Sequence, residues 1–431
     1  MRIVYPDTYH EFECAAGTCP DTCCKGWQME IDDKSLEKYE QHIGHFAGKL
    51  QNGIDWNSGC FKQDECGRCM LLNKDNLCEL VLNMGEEHLC STCAIYPRHV
   101  EEYEGLREWS LSLSCPVAAS LILGKQEPVH FIEERNDDDD PLIKEFADFD
   151  FLLFTELEDA RQVIYAMIQD RNMPIGARVN ALMQMSLQLQ ICVEENRISN
   201  MRDIVNVYAG VNDVAIDGTK RLCEDGEETE DILDYGDSLS KLNIEDPRKR
   251  YEFLLETFSV FDKLDCLREG WQEIVDEERA MLSKGAENYV KRRRRFKESM
   301  QDKEWWPIFQ ENFLMAFVYT YFCGAVYDDW IDTKLMLGVF SLVYAEEFIM
   351  NLYYSKNPSI LEETDTDNDD DDVKIFGVND VADNSGDSED EAVTFEDCVG
   401  IVYRYVREIE HSDNNLNTLE EFLHGYLFSP A

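Results

Sequence analysis

Residues 14–27 read CAAGTCPDTCCKGW, which places four cysteines within eleven positions and makes two of them adjacent. Seven more cysteines follow before residue 116, so the first 115 residues contain eleven of the sixteen cysteines in the chain. Thiols at this density either pair as disulfides or bind a metal ion or an iron–sulfur cluster. The eleven are Cys14, Cys19, Cys23, Cys24, Cys60, Cys66, Cys69, Cys78, Cys90, Cys93 and Cys115.

The start of the chain bears on the choice between disulfides and a metal. The sequence MRIVYPD has no apolar stretch typical of a secretory signal, so we expect a cytoplasmic protein whose thiols stay reduced. A chain of 431 residues can also bury a large core and does not need disulfides to fold. These features favour metal or cluster binding over a disulfide framework or a set of inert thiols.

Composition divides the chain into four segments. Residues 1–125 are rich in cysteine and turn residues, which predicts a loop-rich metal or cluster module with little sheet. Residues 142–360 have apolar side chains at three- and four-residue spacing and predict a helical body. Residues 361–394 predict an acidic disordered insert, and residues 395–431 a C-terminal helical segment that packs on the body. The predicted fold class is therefore mainly α, with the cysteine-rich module preceding a helical body.

The same apolar spacing predicts the individual helices. The uncharged run at 313–327 is too short to cross a bilayer, so we expect a buried helix there and no membrane span. Residues 110–114 alternate as SLSLS and predict an extended piece. Helices are predicted at 34–39, 77–84, 116–123, 143–169, 177–193, 251–267, 271–282, 309–327, 335–354 and 395–411.

The charge of the chain limits its partners. A formal net charge of −49 would repel phosphates, so a general nucleic-acid-binding function is excluded. The charge is compatible with a basic, lysine-bearing protein partner, and simple solubility would explain it equally well. The sequence does not indicate an oligomeric state.

Adjacent cysteines constrain the kind of metal site. Four thiolates can hold zinc in a tetrahedron or an iron–sulfur cube. The side chains of Cys23 and Cys24 diverge and are joined by one short peptide, so both rarely bind one zinc ion. The pair therefore favours a cluster or two neighbouring sites.

Several segments together resemble the bacterial flagellin lysine-N-methylase family. They are residues 12–27, Leu77-Cys78, residues 89–98 (LCSTCAIYPR) and residues 112–116 (SLSCP). Farther along, residues 311–314 (ENFL) resemble the Glu-Asn-Tyr-Leu segment of that family. The positions that match family cysteines are Cys14, Cys19, Cys23, Cys24, Cys69, Cys78, Cys93 and Cys115.

Four positions in the cysteine-rich segment depart from the family pattern. Cys60 and Cys66 match no family cysteine, and Cys90 matches a variable position. Met70 replaces the proline that usually follows the family cysteine.

The resemblance implies an activity and a set of cofactors. It implies methyl transfer from S-adenosylmethionine to lysine side chains of flagellin, with a [4Fe-4S] cluster, or alternatively zinc, on the matching cysteines. Glu311 and Asn312 are the catalytic residues that it suggests, although both could simply begin a helix. The alternative hypothesis is a metal-binding or redox-sensing protein without transferase activity.

No sequence motif identifies the binding site for the methyl donor. Neither a Gly-x-Gly-x-Gly turn nor the Cys-x3-Cys-x2-Cys signature of radical enzymes occurs in the chain. Core packing is favoured over a site role for Tyr319, Tyr321 and Tyr327. For the basic run at 291–295 (KRRRR) we expect a solvated helix face paired with acidic side chains. Trp27 is expected to pack over the metal site.

Overall fold

The computed structural model describes residues 1–135, 149–210, 244–361 and 391–428. Within these ranges the protein is mainly α-helical, as the sequence predicts. The predicted acidic insert lies mostly outside the described residues, since only 361 and 391–394 of it are included. The boundaries of the four segments therefore stay predictions.

The cysteine-rich part has short helices and a small sheet. A sheet of four strands has the order β4-β5-β1-β6, and β2 and β3 form a separate hairpin. The helices are α1 Asp33–Glu40, α2 Ala47–Gly53, α3 Glu79–Met84, α4 Ser91–Ile95 and α5 Pro116–Leu123. The strands are β1 Arg2–Pro6, β2 Ile54–Asp55, β3 Cys60–Phe61, β4 Arg98–Tyr103, β5 Leu106–Leu111 and β6 Phe131–Arg135.

The four-stranded sheet corrects the expectation of little sheet in this part of the chain. β1 pairs in parallel with β5, placing Ile3 opposite Arg107, and antiparallel with β6 on its other edge. Each strand has only five or six residues, and the pairs with β1 join segments about a hundred residues or more apart. A short strand with distant partners leaves little local pattern, so periodicity alone did not indicate it. The extended piece predicted at 110–114 is the end of β5 followed by a turn.

The helical body follows the predicted periodicity with three additions. The predicted helix at 251–267 ends at Thr257 and continues as a 3-10 helix, Phe258–Lys263. The helices Met201–Tyr208 and Ala286–Met300 were not predicted, and Asp413–Phe428 is a second helix within the C-terminal segment that was predicted to be helical. The helices of the body are α6 Phe151–Ile168, α7 Ile175–Glu194, α8 Met201–Tyr208, α9 Pro247–Thr257, α10 Trp271–Leu282, α11 Ala286–Met300, α12 Trp305–Tyr321, α13 Ile331–Lys356, α14 Phe395–Glu410 and α15 Asp413–Phe428.

Helix α13 is the central helix of the body. It is long and apolar enough to span a membrane, but 94% of its apolar window is buried inside the protein. Helices α7, α12, α14 and α15 pack around it. The start of α14 is fixed by a capping box, in which the Thr394 side chain accepts the Asp397 amide and the Asp397 carboxylate accepts the Thr394 amide. Helices α14 and α15 thus pack on the same central helix as α7 and α12, which precede the predicted insert.

Apolar side chains form three separate clusters. The largest occupies the helical body and extends to Leu106 and Leu113 in the sheet region. A second cluster, around Leu50 and Leu71, lies under the cysteine-rich loops and includes Cys69 and Cys90. The third lies between β1, the end of β5 and α5. The cysteine-rich loops thus rest on a small core of their own.

Candidate metal centre

The motif at residues 14–27 forms a loop pinned by backbone hydrogen bonds. The Gly26 amide donates to the Gly67 carbonyl (3.0 Å), and the Cys69 amide donates to the Cys24 carbonyl (2.8 Å). Gly26 has φ of +83°, a conformation that side chains other than glycine rarely adopt. The Trp27 indole donates to the Cys23 carbonyl (2.6 Å). The Cys-Cys-Lys-Gly-Trp sequence is therefore needed for the shape of the loop.

Nine thiols form two groups, which meet at the adjacent cysteines. In the first thiol group, Cys14 and Cys115 each lie close to both Cys19 and Cys23. In the second thiol group the members are Cys24, Cys69, Cys78, Cys90 and Cys93. The thiols of Cys23 and Cys24 share a hydrogen bond, so the two groups are neighbours.

The two groups include all eight cysteines predicted as metal ligands and add Cys90. Cys90 is fully buried and shares a hydrogen bond with the Cys93 thiol, although its position is variable in the family. Cys60 accepts a hydrogen bond from Gln28 Nε2 (3.1 Å), and Cys66 is exposed. Cys60 and Cys66, which match no family cysteine, therefore also lie outside both thiol groups.

The thiols differ in how readily they ionise. Burial raises the pKa of Cys69 to about 12, and it also raises the pKa of Cys78 and Cys115. The hydrogen bond from Cys23 lowers the pKa of Cys24 to about 7. In the Cys23–Cys24 and Cys90–Cys93 pairs, one thiol donates its hydrogen and the other sulfur accepts it. Metal binding would remove these protons, because cysteines bind metals as thiolates.

The donor set fits a metal or cluster by its chemistry. None of the eleven N-terminal cysteines is in a disulfide, and clustered thiolates are the ligands that zinc and iron–sulfur clusters take. Among the described residues, no three His, Cys, Asp or Glu side chains already stand at the geometry of one ion's ligands. The structure thus gathers the thiols without arranging a finished coordination shell.

Helix α14 fastens the cysteine loop to the body. Arg407 is fully buried, and its guanidinium donates to the Ser114 carbonyl, the Asp21 carbonyl and the Asp21 carboxylate. Arg268 reaches the same carboxylate at 3.5 Å and donates to the Lys25 carbonyl. The positive charge of Arg407 therefore lies beside the first thiol group, where it favours the thiolates of Cys19 and Cys115.

A neutral histidine closes the first thiol group on one side. The His411 ring lies 4.9 Å from the Trp27 ring and hydrogen-bonds to Ser114 Oγ (3.1 Å). Burial, with Arg407 and Arg268 nearby, lowers the pKa of His411 to about 3. Trp27 contacts two rings, Tyr96 at 5.8 Å and His411 at 4.9 Å, and His411 is nearly 400 residues away in sequence. No sequence pattern near His411 or Arg407 indicates this contact.

The structure places Glu311 and Asn312 in the framework of the body. Glu311 is 1% exposed, and its carboxylate is paired with Arg171 (2.8 Å) and Arg178 (3.0 Å). Asn312 donates to the Lys125 carbonyl (2.8 Å) just beyond α5. Both side chains are used in structural contacts and lie in neither thiol group.

The predicted tyrosines and the basic run each have members that are buried in the body. Tyr319 donates to the Val4 carbonyl (2.9 Å), and Tyr321 donates to Glu410 (2.9 Å), so both join elements of the core. Tyr327 is 53% exposed, so the core position predicted for it is wrong. In the basic run, Arg292 and Arg293 are buried, whereas Arg294 is exposed. The solvated helix face predicted for this run is therefore only half correct, because α11 turns two of its arginines into the core.

Comparison with known proteins shows which family the chain resembles. The model of the FliB lysine N-methylase C-terminal domain matches residues 161–367. The flagellar biosynthetic protein FliU of Salmonella muenchen is 29% identical over 146 residues, which cover 32% of this chain and 85% of FliU. The lysine-N-methylases of Salmonella typhimurium and Salmonella choleraesuis are 29% identical over 144 residues, or 31% of this chain and 35% of each relative. No solved structure matches.

These matches confirm the predicted relationship to the flagellin lysine-N-methylase family. The match begins at Arg161, in the second half of α6, and includes α7 through α13. The aligned stretches span about a third of the length of the two lysine-N-methylases. The family model therefore matches the helical body, whereas the motifs that carried the predicted resemblance lie mainly in the cysteine-rich segment.

Proposed function

We propose that this protein is an S-adenosylmethionine-dependent protein-lysine N-methyltransferase that acts on flagellin. The supporting observation is the match of the FliB lysine N-methylase C-terminal domain to residues 161–367, which include the central helix α13. The relatives' names, lysine-N-methylase and flagellar biosynthetic protein, support lysine methylation as the reaction and a flagellar protein as the substrate. A net charge of −49 is compatible with a substrate that presents lysines.

The chemistry sets requirements for the site. A lysine amine must lose its proton before it can attack the methyl group of a sulfonium, and the cation that forms needs nearby carboxylates or aromatic faces. Buried carboxylates of raised pKa could take such a proton. Burial raises the pKa of Glu408 to about 7, and this residue lies on α14 next to Arg407.

The two thiol groups are the proposed metal-binding residues. Four and five thiols are each enough for one zinc ion or one [4Fe-4S] cluster, so each group would hold one centre. A bound metal would replace thiol protons and fix the loop of residues 14–27 to β5, α14 and the Arg407–Asp21 contact. We place the protein in the cytoplasm, where such thiols stay reduced.

The second candidate is a metal-binding or redox-sensing protein without transferase activity. The observation that favours it is the grouping of nine thiols outside any disulfide, two of which, Cys19 and Cys115, lie near Arg407. On this hypothesis the helical body would only support the thiol module, and no methyl group would be transferred.

The test is methyl transfer by protein purified without oxygen. The protein is incubated with purified flagellin and S-adenosylmethionine labelled in its methyl group, and labelled lysines are mapped by mass spectrometry. Flagellin with chemically blocked lysines is the control substrate. We expect label on lysine of native flagellin alone. Metal-loaded protein that transfers no methyl group would contradict the proposal and favour the second candidate.

A further inference from the structure

An open cavity borders the first thiol group. Its volume is about 440 Å³, which is within the range of ligand sites. Glu13, Pro20 and Pro116 are among the residues that line it. They are the sequence neighbours of three members of the thiol group, Cys14, Cys19 and Cys115. The cavity therefore lies beside the proposed metal-binding residues.

The floor of the cavity is apolar. Phe12 is 9% exposed and belongs to the third apolar cluster. Val117 and Leu121 are four residues apart on α5, so they lie on the same face of that helix, and both pack against the same cluster. Packing thus holds the floor in place. An apolar surface of this kind can cover the methylene stem of a long charged side chain.

The rim of the cavity is acidic. Glu11 and Glu13 are both exposed and both line the cavity, whereas no lysine, arginine or histidine lines it. Within the described part of the chain, neither carboxylate pairs with a cationic side chain. The guanidinium of Arg98 lies over the Phe12 ring instead, at 5.5 Å. Two neighbouring carboxylates without a cation of their own attract a cationic ligand.

We propose that this cavity receives a lysine side chain of flagellin, with the methylene stem on Phe12, Val117 and Leu121 and the ammonium group at Glu11 and Glu13. An apolar floor alone would suit any aliphatic side chain, and an acidic rim alone would suit any cation. Side by side, they match an aliphatic chain that ends in a cation. The proposal rests on the function proposed above for its partner, and it places the substrate lysine beside the first thiol group.

Carbodiimide cross-linking tests this contact directly, because it joins a carboxylate to a lysine amine that touches it. The full chain, purified without oxygen, is cross-linked to purified flagellin, and the linked residues are mapped by mass spectrometry. We expect flagellin lysines to be joined to Glu11 or Glu13. Cross-links to flagellin that avoid both residues would overturn the proposal. This measurement uses the unmodified protein and so does not depend on the folding of a variant.

Affinity for flagellin, measured by calorimetry, gives a second test. The double variant Glu11→Gln with Glu13→Gln should bind flagellin about 3- to 10-fold more weakly, the size expected for two exposed ion pairs. The matched control is Glu37→Gln with Glu40→Gln, which removes the same charge from the exposed face of α1 and should leave the affinity unchanged. Equal affinities of the two double variants would mean that only net charge matters and would overturn the proposal.

A variant that fills the cavity separates its shape from its charge. Ser120 is exposed on α5 and lines the cavity, so Ser120→Trp should block the apolar floor without changing any charge. We expect this variant also to bind flagellin severalfold more weakly. Unchanged affinity would overturn the placement of the lysine stem.

The cross-links and the methyl-transfer assay distinguish this proposal from the proposed function. Methyl transfer to flagellin with cross-links elsewhere would overturn the cavity and leave the proposed function intact. Cross-links to Glu11 or Glu13 without methyl transfer would support the cavity and contradict the proposed function. Neither cross-links to flagellin nor methyl transfer would overturn both.

Discussion

The cysteine-rich module and the helical body differ in the partners of their buried polar side chains. In the body, buried charges such as Glu311 and Arg250 are paired with other side chains of the body. In the module, buried thiols such as Cys69 and Cys90 belong to a small apolar cluster and lie close to other thiols. The body can therefore fold on its own interactions, whereas we expect the module to gain much of its stability from a bound metal and from its contacts with α14.

The largest expected effect is the loss of a buried ion pair in the body. Glu311→Ala leaves Arg178 buried without its carboxylate partner, which should lower the free energy of unfolding by about 3–5 kcal/mol. Urea unfolding measures the change, with Glu304→Ala at the exposed start of the same helix as control. Unchanged stability together with lost methyl transfer would instead make Glu311 a catalytic residue.

Titration of a buried carboxylate gives the next effect. Burial raises the pKa of Asp332 to about 7, so the folded state holds its proton at a pH where the unfolded chain has released it. The contribution to stability is therefore complete below about pH 4 and decreases as the pH rises through about 7. The unfolding free energy should fall by a few kcal/mol between pH 5 and pH 8. Asp332→Asn should flatten this slope; parallel slopes for the two proteins would exclude Asp332 as its source.

A smaller and more local effect is expected where the two regions meet. Arg407→Gln removes the guanidinium that joins α14 to Asp21 and Ser114, so the loop of residues 14–27 should open more often. Alkylation of Cys19 and Cys23, followed by mass spectrometry, should become severalfold faster. Arg404→Gln on the exposed face of α14 is the matched control. Equal alkylation rates in the two variants would show that Arg407 does not hold the loop.

The two regions also differ in how far the sequence predicts them. Helices α10 and α13 follow directly from their long apolar periodicity. The eight cysteines predicted as metal ligands came from the family resemblance, and all eight lie in the two thiol groups. The sequence left one cluster and two neighbouring sites open at Cys23 and Cys24. Their side chains were expected to diverge, but the two thiols share a hydrogen bond, because the loop of residues 14–27 is held by contacts with distant residues such as Gly67 and Arg407. The sheet and the Arg407–Asp21 contact depend on partners about a hundred to nearly four hundred residues apart. Such pairings follow from packing of the whole chain, not from local pattern.

The most direct test of the proposed metal centres is the metal content of single cysteine variants. Iron, sulfide and zinc are measured, with the visible spectrum, in protein purified without oxygen. Cys115→Ser changes the first thiol group and Cys78→Ser the second, and Cys66→Ser is the exposed control outside both. We predict that the first two variants each lose the metal of one group and that Cys66→Ser keeps all of it. Full metal content in both Cys115→Ser and Cys78→Ser, or no metal in the unmodified protein, would contradict the account.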